Sequence, residues 1–284
     1  MKVLFATCAS LPEGDGDDAA LIDALADVGV HAAWAEWGTP LDADLVVLRS
    51  TWDYPERLPE FLAWCDEQPR LVNPASVVRW NTDKAYLVDL ARAGVPIVPT
   101  ALATPGFTDW PDGEFVVKPA VGAGSRGVLR VAAGDHGTAA RHLASLDGPA
   151  LVQPYQSRVD SLGETAVVFL GGQYSHAFAK GAMLTPDAEY DESGLYVLER
   201  LSGATPTPAQ RRVAEDVLDA ASALLSVPRH ELLYARVDLV PDATGSPVLM
   251  ELELVEPSLG FRQNDPTAPL RFASAVRTAL SRES

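Results

Sequence analysis

Two alternating strands between Leu232 and Phe261 constrain the fold of this chain more than any other feature of its sequence. In the first of them, Leu233 to Val240, every second residue is apolar and the residues between include three polar ones. Because side chains alternate between the two faces of a strand, Tyr234, Arg236 and Asp238 share one face. A polar face this regular indicates a surface with a function.

The second alternating strand, Val248 to Val255, places Glu251 and Glu253 on one face. An even-length hairpin loop would pair Asp238 with Glu251, and Arg236 with Glu253. Three carboxylates beside a single arginine leave unbalanced negative charge, which a divalent cation with oxygen ligands would neutralise. The alternative is a solvated outer face of a sheet with a cross-strand salt bridge. This segment alone does not decide between the two interpretations.

The overall charge argues against several classes of partner. Aspartate and glutamate number 39 against 22 lysine plus arginine residues, so the net charge is −17. We therefore expect neither a nucleic-acid partner nor an anionic membrane surface, and an anionic ligand must be met by a local group of cations. Two cysteines are too few for a disulfide framework, and no apolar run approaches the length of a membrane span. These features predict a cytoplasmic protein.

The amino end predicts an α/β domain with an open parallel sheet. Val3 to Thr7, His31 to Trp37 and Leu45 to Arg49 have the composition of buried strands. Asp17 to Val28 has the apolar stripe of a helix. A chain order of strand, helix, strand and strand is typical of a parallel sheet.

A polar and aromatic cluster, with the sequence LRSTWDY, follows the third of these strands. Loops at the carboxyl ends of such strands bind ligands in α/β domains, so this cluster is a candidate site for a small polar substrate. The Arg49 guanidinium would bind a substrate carboxylate through two parallel hydrogen bonds. The alternative, equally favoured, is that Thr51 or Asp53 caps the helix Glu56 to Asp66. The candidate substrate residues are Arg49, Ser50, Thr51, Asp53 and Tyr54.

A glycine-rich loop follows the buried strand Phe115 to Pro119, which carries Lys118 near its end. The loop has the spacing G-x-G-x-x-G, at Gly122, Gly124 and Gly127. A dinucleotide fold or a P-loop requires a helix after the glycines, whereas Val128 to Ala132 is β-like. The pattern therefore predicts a flexible flap whose backbone amides cover phosphates. Two further donors in the flap are Ser125 and Arg126. A plain hairpin turn is the alternative, and the preceding lysine argues against it.

The remaining chain predicts further strands and one strong helix. Ala150 to Tyr155 is predicted to form a strand that ends in a hinge, where backbone groups can contact the edge of an adenine ring. Gly163 to Leu170 and Gln173 to Lys180 form two strands around a glycine turn. Pro208 to Leu225 has a helical stripe. Ala182 to Ser202 is poorly patterned, and either a mobile lid or an ordinary surface loop would fit it.

The order of these features identifies a resemblance. A lysine that opens a helix, Lys84, precedes the strand lysine Lys118, the glycine flap, an Arg-x-Asp strand and a Glu-x-Glu strand. The whole chain resembles the ATP-grasp superfamily of ADP-forming ligases, which contains glutathione synthetase, D-alanine–D-alanine ligase and RimK-type enzymes. The runs Arg-Ser-Thr-Trp-Asp-Tyr and Glu-Leu-Glu-Leu-Val-Glu-Pro-Ser-Leu are similar to the branch that includes the O-ureido-serine cyclo-ligase of D-cycloserine biosynthesis.

The resemblance implies an α/β (α+β ATP-grasp) fold in three parts. An amino-terminal open parallel-sheet domain on the substrate side would span residues 1–80. A central subdomain with the glycine flap would span 81–155, and a carboxy-terminal subdomain with the magnesium site would span 156–284. The last two would clasp ATP between them.

The resemblance also implies ATP and one or two Mg²⁺ ions as ligands. The implied catalytic residues are Arg236 and Lys118. The implied nucleotide contacts are Lys84, Lys118, Gly122, Gly124, Ser125, Arg126, Gly127, Gln153, Pro154, Tyr155 and Glu164. The implied metal ligands are Asp238, Glu251 and Glu253. The superfamily commonly ends this last motif Glu-x-Asn, so Glu253 adds a negative charge. To the substrate candidates named above we add Lys180, Ser258 and Arg262.

The implied activity is transfer of the γ-phosphoryl group of ATP to a carboxylate, followed by attack of an amine on the acyl phosphate. The substrate would be small and derived from an amino acid, and an intramolecular cyclo-ligase is the narrower expectation. A small-molecule kinase and a non-catalytic ATP-binding regulatory module remain open as alternatives. Many relatives are dimers or tetramers, so the resemblance allows a homodimer.

Overall fold

The structure, a computed structural model, describes residues 1–184, 189–263 and 265–282. Its strands form three sheets that follow one another along the chain. One sheet falls within each of the predicted ranges, although the boundaries of those ranges stay predictions. In the described part of the chain, no helix is long and apolar enough to cross a membrane. The expected homodimer and cytoplasmic location also stay predictions.

The amino-terminal sheet is parallel throughout, as its buried apolar strands predict. The sheet and its connecting helices are β1 (Lys2–Thr7), α1 (Leu21–Asp27), β2 (His31–Glu36), β3 (Leu45–Leu48), α2 (Leu58–Glu67) and β4 (Leu71–Val72). Its strand order is β2-β1-β3-β4. The helix predicted to begin at Asp17 begins at Leu21 instead, because Gly16–Asp18 forms a 3₁₀ turn. That turn buries the carboxylates of Asp17 and Asp18.

Two helices, rather than the single predicted one, separate this sheet from the next. They are α3 (Ala75–Asn81) and α4 (Tyr86–Arg92), and the break between them contains Lys84. Asn81 ends α3, and its side chain bonds to a distant strand. The break places the backbone N–H of Lys84 2.8 Å from the carbonyl oxygen of Ala120, beside the glycine loop.

The central sheet is antiparallel and holds the glycine loop between two of its strands. The sheet and its connecting helix are β5 (Ala101–Ala103), β6 (Phe115–Pro119), β7 (Leu129–Val131), α5 (His136–Ser145) and β8 (Ala150–Pro154). Its strand order is β5-β8-β6-β7. Residues 120–128 join the antiparallel strands β6 and β7. The predicted strand, loop and strand are confirmed, because a strand follows the glycines where a P-loop or a dinucleotide fold has a helix.

The carboxy-terminal sheet is antiparallel and has the order β11-β10-β9-β12-β13. Its elements are α6 (Val159–Leu162), β9 (Glu164–Leu170), β10 (Gln173–Lys180), β11 (Leu201–Ala204), α7 (Pro208–Leu225), β12 (Tyr234–Pro241), β13 (Pro247–Glu253) and α8 (Ala268–Ser281). Helix α7 has the predicted bounds, and Thr207 and Gln210 form a capping box at its start. Strand β11 was not predicted from the sequence.

Two shared cores tie the three parts of the chain together. Helices α3 and α4 contribute buried residues to the core beneath α7, β12 and β13. Helix α8, at the other end of the chain, packs against α1 and joins the core of the amino-terminal sheet. The apolar faces of the first and last sheets are therefore buried in part by each other's helices, which fixes their relative position.

The hairpin of β12 and β13 has the predicted pairs but a different loop. Asp238 pairs with Glu251, and Arg236 pairs with Glu253. The loop between Pro241 and Pro247 spans residues 242–246, an odd number, whereas an even loop was predicted. A bulge at Met250 adds one residue to β13 and restores the register. Without this bulge the two glutamates would fall on the opposite face of the sheet.

Candidate active site

A cavity of about 630 Å³ lies where the three sheets meet. The predicted site residues that line it are Tyr54, Lys84, Lys118, Gly122, Gly124, Ser125, Arg126, Gln153, Pro154, Tyr155, Glu164, Lys180, Arg236, Glu251, Glu253, Ser258 and Arg262. The predicted site residues that are not among the lining residues are Arg49, Ser50, Thr51, Asp53, Gly127 and Asp238. The lining residues come from all three sheets, so one space gathers groups that are remote in sequence.

The outer edge of β13 is held by side chains that act as a neighbouring strand would. Asn81 donates its amide N–H to the carbonyl of Leu252 at 2.8 Å and accepts the N–H two residues later at 2.6 Å. The hydroxyl of Tyr86 accepts the N–H of Leu252 at 2.9 Å. These bonds satisfy a buried strand edge. Glu251 and Glu253, on either side of Leu252, are thereby fixed at the cavity.

Two lysines meet at the cavity, Lys84 from the break between α3 and α4 and Lys118 from β6. The Lys84 amine donates to the carbonyl of Gly122 at 2.6 Å and lies 3.2 Å from Glu251. Burial opposes the charge on Lys84, but Glu251 and Glu253 outweigh it and raise the pKa. Lys118 is also buried, and burial lowers its pKa, with Lys84 adding to the effect against the attraction of Glu251. An anion bound between the two amines would relieve this repulsion.

Asp238 does not face the cavity as a free carboxylate. It is fully buried, and it accepts bonds from Arg236 at 2.9 and 2.8 Å and from Lys180 at 2.8 Å. Although burial works against its ionisation, Arg236 and Lys180 lower the pKa of Asp238 to about 2. The predicted role of Asp238 as a metal ligand stays a prediction, and in this structure its carboxylate pairs with Arg236 and Lys180. No cluster of three or more His, Cys, Asp or Glu side chains among the described residues is arranged to hold a metal ion.

Lys180 and Glu164 are paired with each other, although we predicted separate ligand contacts for them. The buried Lys180 amine lies 3.2 Å from Glu164 and 3.8 Å from Glu199. Together with Asp238 these carboxylates surround the amine. The predicted ligand contacts of Lys180 and Glu164 stay predictions. Glu199 was not predicted, because it belongs to the poorly patterned segment.

The two remaining hairpin carboxylates differ in their surroundings. Although burial opposes its ionisation, Lys84 and Lys118 lower the pKa of Glu251. Burial, together with Asp238 and Glu251, raises the pKa of Glu253 to about 7, even though the Arg236 guanidinium pairs with it. Mg²⁺ is usually held by one or two carboxylates and by phosphate oxygens. The oxygen donors of Glu251 and Glu253 therefore fit Mg²⁺ bound with a polyphosphate.

A further carboxylate, Glu256, was missed by the sequence reasoning. It lines the cavity and has the Tyr54 hydroxyl as a hydrogen-bond partner. Burial first, and then Glu253, raises the pKa of Glu256 to about 8. The run Glu-Pro-Ser-Leu was the available signal for this residue, although nothing in the sequence placed its side chain at the cavity.

The arginine of the glycine flap binds the amino-terminal part of the chain. Arg126 forms an ion pair with Glu56 at 2.7 Å and donates to the carbonyl of Trp52 at 2.7 Å. Its predicted role as a phosphate donor is therefore not realised in this conformation. The ion pair instead fastens the flap across the mouth of the cavity. Gly127 is exposed and does not line the cavity, and its carbonyl bonds to the ring of His142 at 2.8 Å.

Residues 189–198 form a segment that packs on the flap. The N–H of Val197 donates to the carbonyl of Gly124 at 3.2 Å. Gly124 has a φ of +62°, and a Cβ there would lie only 2.2 Å from the carbonyl oxygen of Leu195. This segment belongs to the predicted lid or surface loop, of which residues 185–188 lie outside the described residues. Its described part covers the flap.

The segment predicted to flank adenine lines the same cavity. The amide of buried Gln153 donates to the Thr100 hydroxyl at 2.8 Å. The ring of Tyr155 stacks under the guanidinium of Arg130, 3.6 Å from its centroid. Glu114 holds that guanidinium with two bonds of 2.8 Å. The aromatic side chain is thus fixed before any ligand binds.

Most of the LRSTWDY cluster holds a turn in place and does not contact the cavity. Arg49 forms a fork with Asp18, with bonds of 2.9 and 2.7 Å, and only 2% of Arg49 is exposed. The Ser50 hydroxyl accepts the N–H of Asp15 at 2.9 Å. The predicted fork onto a substrate carboxylate is therefore wrong. The capping alternative also fails for Asp53, which accepts the indole N–H of Trp37 at 2.7 Å.

The turn held by Arg49 carries two carboxylates to the cavity. Asp15 and Asp17 both line it. Asp17 accepts the Ser258 hydroxyl at 3.2 Å and the backbone N–H of Arg262 at 3.1 Å. The Arg262 side chain lines the same end of the cavity. This end thus offers both signs of charge, which complements an amino acid with an ammonium and a carboxylate group.

Comparison with known proteins identifies the class of this protein. The crystal structure of D-alanine–D-alanine ligase from Bacillus anthracis complexed with ATP aligns over 100% of this chain and 98% of its own, with a TM-score of 0.64 and 13% identity. This similarity confirms the predicted ATP-grasp fold. The cavity lined by the predicted lysines, flap and hairpin lies within a fold of this class.

Closer relatives identify the family. The family model described as D-cycloserine synthetase DcsG, N-terminal domain, matches residues 3–73. The cycloserine biosynthesis protein DcsG of Streptomyces lavendulae is 39% identical over 288 residues, which cover 94% of each chain. The crystal structure of D-cycloserine synthetase DcsG has a TM-score of 0.88 and 36% identity, over 99% of this chain and 100% of that one. The chain belongs to the DcsG family, and it is an ATP-dependent ligase that forms C–N bonds.

Proposed function

We propose that this enzyme closes the ring of D-cycloserine from O-ureido-serine through an acyl phosphate, with ADP as the nucleotide product. The observation that carries the proposal is the convergence of two lysines, an arginine and two glutamates on one cavity. Similarity to the D-cycloserine synthetase DcsG over nearly the whole chain supports the choice of substrate.

The nucleotide end of the cavity is the part near the flap and the hairpin. In our proposal Lys84 and Lys118 bind the phosphates of ATP, and the backbone amides of the flap cover them. Glu251 and Glu253 would hold Mg²⁺, which supplies positive charge that offsets the polyphosphate. The segment from Gln153 to Tyr155 would face the adenine. Because several segments of the chain would contact the nucleotide, nucleotide binding would favour the closed position of the flap.

Arg236 would stabilise the phosphoryl group as it moves to the substrate carboxylate. Its guanidinium is fixed by Asp238 and by the carbonyl of Ser258 at 2.8 Å, so little reorganisation is needed during the transfer. The flap and the segment of residues 189–198 would exclude water, which otherwise hydrolyses an acyl phosphate. Positioning and electrostatic stabilisation therefore account for this first step.

The second step would form the ring. The nitrogen that is bonded to the ether oxygen of O-ureido-serine attacks the acyl carbon, and phosphate leaves. The new C–N bond closes a ring of five atoms. The nitrogen keeps its carbamoyl group in this step, and hydrolysis of that group then gives D-cycloserine. Asp15 and Asp17 would bind the substrate ammonium group, while Ser258 and Arg262 would bind its carboxylate.

The proposal is tested by incubating the enzyme with ATP, Mg²⁺ and O-ureido-serine and by following all products by mass spectrometry. We expect ADP, phosphate and cyclised product in equal amounts. Formation of AMP would refute the mechanism. Phosphate retained on the substrate would indicate the kinase alternative, and ATP binding without turnover would indicate the regulatory module.

A pair of arginine variants adds a control. Arg236→Ala should lower turnover roughly tenfold to a thousandfold, as loss of a single charge-stabilising donor does. Arg92→Ala should leave turnover unchanged, because the Arg92 side chain is 75% exposed and pairs only with Asp89 on the surface of α4. Equal turnover in the two variants would exclude the assigned role of Arg236.

A further inference from the structure

Glu256 is a cavity-lining carboxylate that the proposed phosphoryl transfer leaves without a role. Its main chain is fixed on both sides. The indole N–H of Trp52 donates to the Glu256 carbonyl at 3.0 Å, and the hydroxyl of buried Tyr234 donates to the preceding carbonyl at 2.7 Å. The Tyr54 hydroxyl is a hydrogen-bond partner of the Glu256 carboxylate. The carboxylate is therefore held in place where the hairpin meets the amino-terminal sheet.

Among the residues that the structure describes, the absence of an ion pair distinguishes Glu256 from the cavity carboxylates of the hairpin and of β9. The carboxylates of the hairpin and of β9 have basic partners, which are Lys84 for Glu251, Arg236 for Glu253 and Lys180 for Glu164. Within the described ranges, no lysine or arginine forms an ion pair with Glu256. Tyr54 occupies one hydrogen-bonding position of a group that has two oxygens. Glu256 is thus able to accept a further proton donor from a ligand.

The proposed ring closure requires such an acceptor. The attacking nitrogen is neutral and carries one hydrogen, and its electron pair is weakened by the attached carbamoyl group. The proton has to leave as the C–N bond forms, because the product nitrogen would otherwise carry a positive charge beside two electron-withdrawing groups. A positioned side chain that takes such a proton accelerates a reaction by roughly 10²- to 10⁴-fold.

We infer that Glu256 is the general base of ring closure, an assignment that rests on the proposed function. The Glu256 carboxylate takes the proton from the nitrogen, and the electron pair of the nitrogen forms the bond to the acyl carbon. The bond from that carbon to the phosphate oxygen breaks, and phosphate leaves with its electrons. Tyr54 acts as a positioning residue, because its hydroxyl orients the carboxylate. Glu256 then returns its proton to water when the product departs.

The test separates activation of the carboxylate from ring closure. The full chain is incubated with ATP, Mg²⁺ and O-ureido-serine, with and without hydroxylamine. Hydroxylamine traps the acyl phosphate as a hydroxamate and needs no enzymic base, because it is already a strong nucleophile. Glu256→Gln keeps the size of the side chain and removes its basicity. We expect hydroxamate formation by this variant within about threefold of wild type, and cyclised product reduced roughly 10²- to 10⁴-fold.

Each contrary outcome overturns the inference. Cyclisation by Glu256→Gln at the wild-type rate would show that no base is lost. A parallel loss of hydroxamate and cyclised product would assign Glu256 to binding or to activation instead. Glu256→Asp retains a carboxylate and should recover part of the cyclisation. An aspartate variant that cyclises no better than the glutamine variant would also contradict a role as base.

Two further measurements keep the test decisive. If the glutamine variant does not fold, Tyr54→Phe takes its place, and it should slow cyclisation about tenfold with unchanged hydroxamate. An unchanged cyclisation rate in Tyr54→Phe would then overturn the role of this pair. Hydroxamate formation by the wild-type enzyme tests the proposed function separately. Its absence would refute the substrate assignment, and the inference on Glu256 would fall with it.

Discussion

Replacement of Gly124 by alanine should disable the flap, whereas replacement of Gly122 in the same loop should not. Gly124 has a φ of +62°, and an added Cβ would lie 2.2 Å from the carbonyl oxygen of Leu195 and 2.7 Å from the Cα of Tyr196. Both obstacles are backbone atoms, which do not rotate away. At Gly122 the nearest atom to an added Cβ is 3.7 Å away, an ordinary contact.

The magnitude follows from two terms. A residue with a side chain in the left-handed conformation costs about 1–2 kcal/mol relative to glycine. Movement of the loop away from Leu195 breaks the bond between the Gly124 carbonyl and the N–H of Val197, which adds about 1 kcal/mol. The closed flap is thereby destabilised by about 2–3 kcal/mol, which corresponds to a roughly 30- to 150-fold loss at 1.4 kcal/mol per factor of ten.

The assay compares kcat/KM for ATP in both variants by coupled detection of ADP. Gly124→Ala should lose activity by the factor given above, and Gly122→Ala should stay within about threefold of wild type. A thermal melt without ligand shows whether either variant is misfolded. Equal impairment of the two variants, or wild-type kcat/KM in Gly124→Ala, would refute the account of flap closure.

Three other changes give independent tests. Asn81→Ala should lower the free energy of unfolding by about 1–3 kcal/mol, measured by urea denaturation, because it leaves a buried N–H and a buried carbonyl of β13 without partners. Arg126→Ala should raise KM for ATP roughly tenfold with an unchanged melting temperature, since it removes the two bonds that hold the flap to the amino-terminal part. The unliganded protein should become less stable as the pH rises from about 5 to about 8. In the folded chain the pKa values of Glu253 and Glu256 are raised to about 7 and about 8 from an ordinary value of 4.5, so in this window the unfolded chain binds fewer protons than the folded one and unfolding is favoured. Glu256→Gln should flatten this slope in melting curves, and an unchanged slope would contradict the assigned burial.

Much of the fold could be predicted from local patterns in the sequence. Alternation placed Arg236 with Asp238, and Glu251 with Glu253, on one face of their strands. The pairs between the strands were predicted from an even loop, and the structure reaches the same pairs through an odd loop and a bulge. The apolar stripe predicted α7 with its bounds, and the β-like run after the glycines predicted a flap. These signals lie within a few residues of one another, so they are visible in the sequence.

Long-range partners were not visible in the sequence. Asparagine is a residue type that often caps a helix, yet the Asn81 side-chain amide bonds to Leu252, 171 residues later. The Arg49 guanidinium could bind a substrate carboxylate through two hydrogen bonds. In the structure it binds the carboxylate of Asp18, on a turn of the amino-terminal part, instead. Lys180 likewise takes up an oxygen of Asp238 that the predicted metal site required. In each case a tertiary neighbour competes for the polar group, and the sequence does not rank such neighbours.

The most direct test of the account is a crystal structure of the enzyme with Mg²⁺ and a nonhydrolysable ATP analogue. We predict that the amines of Lys84 and Lys118 lie within about 3 Å of phosphate oxygens, the hydrogen-bonding range. Glu251 and Glu253 should coordinate Mg²⁺ at about 2.1 Å. A triphosphate bound elsewhere, with these four side chains left in contact only with one another or with solvent, would contradict the assignment of the cavity.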